Sequence, residues 1–178
     1  MRGRDPGPPL PTSLEAAADG RWVLVLERSF DHPRAEVWAA LVEPGRQAEW
    51  APFRSDRDLA TPGPATLTML GGDEEVALPG DVTLARAPAL LEHRWDADLV
   101  RWELREVDGG TLLTLRHTFG DRPWAPSYGA GWQICLDTLE ALLDGAPRGS
   151  VVGEEAKAWG WEGLRDRYAA ALGVEAER

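Results

Sequence analysis

Apolar and polar residues alternate along "RWVLVLERSF" (21–30), putting Trp22, Leu24, Leu26 and Arg28 on one face and Val23, Val25 and Glu27 on the other. That period of two predicts a strand. In "DHPRAEVWAALVEPG" (31–45) the period lengthens. Asp31 or His32 can cap, Pro33 suits a first helical position, and Val37, Trp38 and Leu41 form a stripe that Pro44-Gly45 stops. "RQAEWAPF" (46–53) predicts a second short helical turn, ended by Pro52. Strand patterns follow at 65–70, 81–87, 90–96, 99–107 and 111–119. Asp108-Gly109-Gly110 is the strongest turn signal between them and Asp96-Ala97-Asp98 a weaker one.

The principal helix is expected over 124–143. Tyr128, Trp132, Cys135, Leu136, Leu139, Leu142 and Leu143 recur there at steps of three and four, on one broad face. Gly129 and Gly131 each cost about 1 kcal/mol in a helix interior. They predict either close approach of another element or a helix that begins near Gly131. In a C-terminal helix Trp161, Leu164, Tyr168 and Leu172 share a face, which needs cover from its own domain or from a second copy in a homodimer. Residues 1–19, rich in Pro, Gly and Ala, read as a flexible tail, 20–173 as a single domain and 174–178 as a short tail. Strands clustered apart from helices give an α+β fold. The expected architecture is a curved antiparallel sheet of about six or seven strands wrapped around the long helix, with a gap between the two.

Thirty acidic and nineteen basic residues leave a net charge of −11, which argues against nucleic acid or an anionic membrane as partner. One cysteine forms no internal disulfide, so a reducing, cytoplasmic setting is expected. The basic start lacks the apolar stretch of a secretory signal, and no apolar run reaches the roughly 18 residues of a membrane span. A nucleophile elbow, a phosphate loop and the HExxH pattern are missing, and "GAGWQI" lacks the third glycine of a dinucleotide loop. No metal and no cofactor is expected.

Strict alternation groups Leu113, Leu115, His117 and Phe119, then Val100, Trp102 and Leu104, then Leu91, His93 and Trp95. If these faces look at the long helix, two histidines point into an apolar interior. Each is either a packed imidazole bonded to a neighbour or a group that orients a ligand or exchanges a proton. Two strands apart, they are separated by roughly 9–10 Å, too far to share a metal yet within reach of one small molecule. Trp38, Trp95, Trp102 and Trp132 supply more flat apolar surface than a small core needs, which favours an aromatic-lined cavity. The expected ligand contacts are these four with Leu115, His117, Tyr128, Cys135 and Leu136. Cys135 itself reads as an inert buried thiol.

Four segments resemble a known family: "RSFDHPRAEVWAALVEPGRQAEW" (28–50), "TLLTLRHTF" (111–119), "GWQICLDTLEALLDG" (131–145) and "WEGLRDRYAAALG" (161–173). The chain is similar, over about 21–173, to the SRPBCC or START-like superfamily with its helix-grip fold. Within it the resemblance is to the branch named after the C-terminal domain of the activator of the heat-shock-protein-90 ATPase. The resemblance implies binding of lipids, sterols, polyketides or other apolar molecules, with cyclases among the members. The function expected is therefore binding of a small aromatic or lipid-like molecule between sheet and long helix. An alternative on the same cavity is a cyclase, hydrolase or lyase using His93 or His117 as acid/base. No carboxylate is evidently paired with either histidine, which favours binding. A third reading is a protein-interaction or chaperone-cofactor module acting through its acidic surface.

Overall fold

The computed structural model describes residues 5–177. Strand β1 (Thr12–Ala16) and β2 (Trp22–Phe30) are followed by helices α1 (Arg34–Val42) and α2 (Pro44–Gln47), then by three short strands, β3 (Phe53–Ser55), β4 (Thr66–Met69) and β5 (Ala77–Pro79). The meander proper is β6 (Val82–Arg86), β7 (Leu90–Trp95), β8 (Asp98–Val107) and β9 (Gly110–Phe119). A single 3-10 turn (Arg122–Trp124) leads into α3 (Ala125–Leu143), and α4 (Glu154–Ala158) and α5 (Trp161–Leu172) close the chain.

The main sheet has six strands in the order β1-β2-β9-β8-β7-β6, every neighbour antiparallel. Pairing of Leu24 with His117 and of Leu26 with Leu115 brings the first long strand beside the last. This is the expected helix-grip architecture, an α+β fold in which α3 lies on one face of the sheet. Leu24, Leu26, Val100, Trp102, Leu113 and Leu115 are fully or almost fully buried, as the alternation requires. Each such leucine contributes about 1.5–3 kcal/mol. Arg28, at the inner face of β2, forms ion pairs with Asp137 and with Glu140 at 2.7 Å, both on α3. Segment 66–69, expected in the meander, pairs instead with β3 and β5 in a separate three-stranded sheet.

The two tails expected at the ends are ordered where they are described. Thr12–Ala16 pairs with β2 as the sheet's edge strand. Ahead of it, the Gln133 side chain on α3 donates to the carbonyls of Pro6 and Pro8 at 3.0 Å, and its oxygen accepts from the Leu10 N–H at 3.1 Å. Gln133 is 2% exposed, so its amide finds nearly all its partners in this segment and in Tyr168. At the other end Val174 is buried, and the Glu177 N–H donates to the Pro123 carbonyl. Positions 1–4 and 178 of the expected tails lie outside the described residues.

The apolar face of α5 is covered within the chain. Leu164 and Tyr168 are fully buried, and α5 packs on α3 and β1. Gly129 explains the closeness: a β-carbon there would stand 2.7 Å from the Tyr168 ring. The helical penalty of Gly129 thus admits a neighbouring ring, and α3 begins well before Gly131. Among the described residues, no helix is long and apolar enough to cross a membrane.

Candidate functional site

The space between sheet and α3, expected to hold a ligand, is filled by tryptophans. Trp132 on α3 meets Trp102 on β8 edge-to-face at 5.3 Å, and Trp102 meets Trp50 in the same way at 5.7 Å. Trp38, Trp102, Leu115, His117 and Leu136 are buried in this packed interior, and none borders a cavity described below. Volume is the physical reason. Four-carbon side chains at positions 50, 102 and 132 would have left the gap that three indoles close.

Each indole N–H here ends on an acceptor inside the protein. Trp50 donates to the Ala40 carbonyl at 2.9 Å, Trp102 to His93 Nε2 at 3.1 Å and Trp132 to His117 Nδ1 at 3.0 Å. The histidines are thereby fixed as neutral rings of opposite tautomer. His93 donates through Nδ1–H to the Arg94 carbonyl at 2.9 Å, whereas His117 donates through Nε2–H to Asp98 Oδ2 at 2.7 Å. Burial holds the His93 pKa down at about 4. Both rings are at most 1% exposed, with both nitrogens engaged.

Asp98 is the functional-looking residue that sequence reasoning passed over. It opens β8 immediately after the turn, and the β8–β9 register carries its carboxylate to His117. The expectation that no carboxylate pairs with either histidine is therefore corrected. The Asp98 charge also acts on the Tyr128 phenol, whose pKa is pushed up to about 12 by burial and then by that charge. The Tyr128 ring lies over His117 with centroids 4.3 Å apart.

A cavity of about 160 Å³ lies on the outer flank of α3. Trp95, Tyr128, Trp132 and Cys135, all expected ligand contacts, line it. Its remaining walls come from Pro52 and from Val151, Val152, Ala156 and Trp161 in the segment after α3. That segment is pinned across the opening. Ser150 donates to the Ala51 carbonyl at 2.5 Å, and Val152 sits so close over Gly71 that a β-carbon there would stand 2.0 Å from its methyl. Trp161, read from sequence only as a packing residue, is thus a cavity wall, with the Arg165 guanidinium 5.2 Å from its ring. Burial raises the Cys135 thiol pKa to about 12, with Asp137 adding to the rise, so the sulfur stays protonated. Two clefts elsewhere carry charged side chains in their walls, Arg165, Asp166, Glu175 and Glu177 in one and Asp31, Asp108 and Glu140 in the other. Among the described residues, no three His, Cys, Asp or Glu side chains stand together as a metal site.

Several solved structures share this fold. CalU16 from Micromonospora echinospora is 22% identical with a TM-score of 0.65, over 89% of this chain and 94% of that one. EF2215 from Enterococcus faecalis, a conserved protein of unknown function, is 14% identical with a TM-score of 0.69, over 94% and 93%. DynU16, a protein of the dynemicin biosynthetic locus, is 24% identical with a TM-score of 0.61, over 70% of this chain and 48% of that one. No curated protein matches the sequence. The family model described as "Activator of Hsp90 ATPase homolog 1-like protein" matches residues 31–144, from just before α1 to the end of α3, and the chain belongs to that family of the SRPBCC superfamily.

Proposed function

We propose that this protein binds a small, flat, apolar molecule of one or two rings in the cavity on the outer flank of α3. The observation that carries the reading is a mostly apolar void of about 160 Å³ walled by the rings of Trp95, Tyr128, Trp132 and Trp161. It is smaller than the roughly 300–1,000 Å³ usual for ligand pockets, which limits the occupant to one or two rings. Family membership fits a ligand-binding or cyclase-like role. Binding is favoured over acid/base catalysis because both nitrogens of both candidate histidines are already bonded inside the protein. His93 would have to lose its indole or carbonyl partner, and His117 its indole or carboxylate partner, before either could move a substrate proton.

Titration with 1-naphthylmethanol, followed by quenching of tryptophan fluorescence, tests the reading. The wild type should quench saturably, because three of the cavity's rings are indoles. Gly131→Leu should abolish the quenching by filling the cavity. Gly131 lines it, and the atom nearest to a β-carbon there is Trp161 Nε1 at 4.0 Å. Leucine also has the higher helix propensity, so the fold should be retained. Undiminished binding by the Gly131→Leu protein would place the ligand elsewhere.

A further inference from the structure

Trp95 and Tyr128 wall two cavities. Besides the apolar one, they border a second of about 260 Å³, formed with Met69, Leu78 and the turn Asp96-Ala97-Asp98. The second cavity is chemically different, because the Asp98 carboxylate lies in its wall. We propose that it receives a cationic amine carried by the same ligand, making that ligand an aromatic amine whose ammonium group pairs with Asp98. This deepens the cavity-binding reading and rests on it.

The state of Asp98 carries the inference. The protein donor to its carboxylate, His117 Nε2–H, and the neighbouring Tyr128 phenol are both neutral. Among the described residues, no Lys or Arg forms an ion pair with it, whereas Arg28, at the same sheet-helix contact, pairs with Asp137 and Glu140. The arginines nearest the turn, Arg21 and Arg94, donate to the carbonyls of Ala97 and Asp96 and not to the carboxylates. A carboxylate offers about four lone-pair positions, of which His117 uses one. The side chain is 23% exposed, so the remaining positions are open to an incoming donor. Asp96 adds a second negative charge on the same wall.

A cation at this place also meets the aromatic rings. Trp95 and Tyr128 are shared by both cavities, so a ring seated in the first puts a one- or two-carbon arm beside them. Ring faces attract ammonium groups, and more strongly when water is partly excluded. A carboxylate-bearing ligand would face Asp96 and Asp98 with a like charge. A neutral alcohol would gain a hydrogen bond without the charge assistance that roughly doubles its strength.

Three probes of one ring system separate these outcomes: 1-naphthylmethylamine, 1-naphthylmethanol and 1-naphthoic acid, titrated calorimetrically against the wild type and Asp98→Asn. The wild type should bind the amine on the order of tenfold more tightly than the alcohol, and the acid most weakly. Asparagine still accepts from His117, so Asp98→Asn should fold, and in it amine and alcohol should bind about equally. Should that variant fail to fold, the wild type's preference for the amine should shrink as salt rises, and Asp96→Asn should reduce it. Equal binding of amine and alcohol by the wild type, or an amine preference surviving in Asp98→Asn, would overturn the amine while leaving the apolar cavity standing. Binding of none of the three would overturn the cavity reading as well.

Discussion

Trp132 has two sides, and they differ in what surrounds them. Toward the sheet it meets Trp102 and gives its N–H to His117, in a packing where each indole nitrogen has a firm internal acceptor. Toward the outer flank it faces the cavity, whose other indoles are held more softly. Trp95 donates to the Met69 sulfur at 3.3 Å, and Trp161 carries an arginine over its ring. Trp50 and Trp102 make core with their polar tips fixed inside, Trp95 makes cavity wall with its tip on a soft sulfur, and Trp132 does both. Buried polar groups with good acceptors specify one packing, and soft contacts leave room to repack.

The sharpest way to break this contrast is to remove one indole from each side. Trp102→Ala deletes a side chain that is 1% exposed and strips His93 Nε2 of its donor, so urea denaturation should show a loss of about 3–5 kcal/mol. Trp161→Ala, at a half-buried wall, should lose far less stability yet weaken naphthalene binding, an effect that Trp102→Ala should lack at temperatures where it stays folded. Equal stability losses would erase the distinction between core and wall.

The closed side also predicts an acid response. His93 has its pKa lowered from 6.5 to about 4 in the folded state by burial. The unfolded chain therefore takes up this proton first as pH falls. Stability is fully present above about pH 6.5 and is lost progressively down to pH 4, by about 3 kcal/mol over that window. His32 runs the other way. Asp144, and then Glu36, raise its pKa, so its smaller contribution is present below pH 6.5 and disappears as pH rises. Denaturation at pH 7, 5.5 and 4.5 should show His93→Gln less sensitive to acid than the wild type. An unchanged slope would mean that His93 is not the neutral acceptor of Trp102.

Local periodicity made much of this legible. The alternation at 111–119 and the stripe at 124–143 placed His117 and Trp132 in one interior, because a strand's period and a helix's period each depend only on neighbouring residues. The same patterns could not tell a filled interior from an empty one, since that depends on the summed volume of Trp50, Trp102 and Trp132 from three distant segments. Residues 12–16 looked like tail because their partners, β2 and the Gln133 amide, cannot be inferred from their own composition. Asp98 read as part of a weak turn, and only the strand register revealed it as the partner of His117. Of the cavity wall, Trp95, Tyr128, Trp132 and Cys135 were legible in the sequence, but the 151–161 segment was not, because its position is set by contacts with Ala51 and Gly71.

The smallest effect separates two glycines two residues apart on α3. Alanine gains up to about 1 kcal/mol over glycine in a helix, so each substitution starts with the same intrinsic benefit. At Gly131 the added methyl meets nothing nearer than 4.0 Å, and Gly131→Ala should keep that gain as a higher melting temperature. At Gly129 the methyl would stand 2.7 Å from the Tyr168 ring. That ring cannot yield easily, because Tyr168 is fully buried and its hydroxyl is held between Gln133 at 2.6 Å and the Leu10 N–H at 3.2 Å. Overpacking costs about 1–3 kcal/mol, which outweighs the helical gain, so Gly129→Ala should melt lower than the wild type. Hydrogen exchange should also show faster exchange at Leu10, whose N–H ends on the groups that Tyr168 holds. Stabilisation by both alanines would mean that α5 rests on α3 loosely enough to move aside.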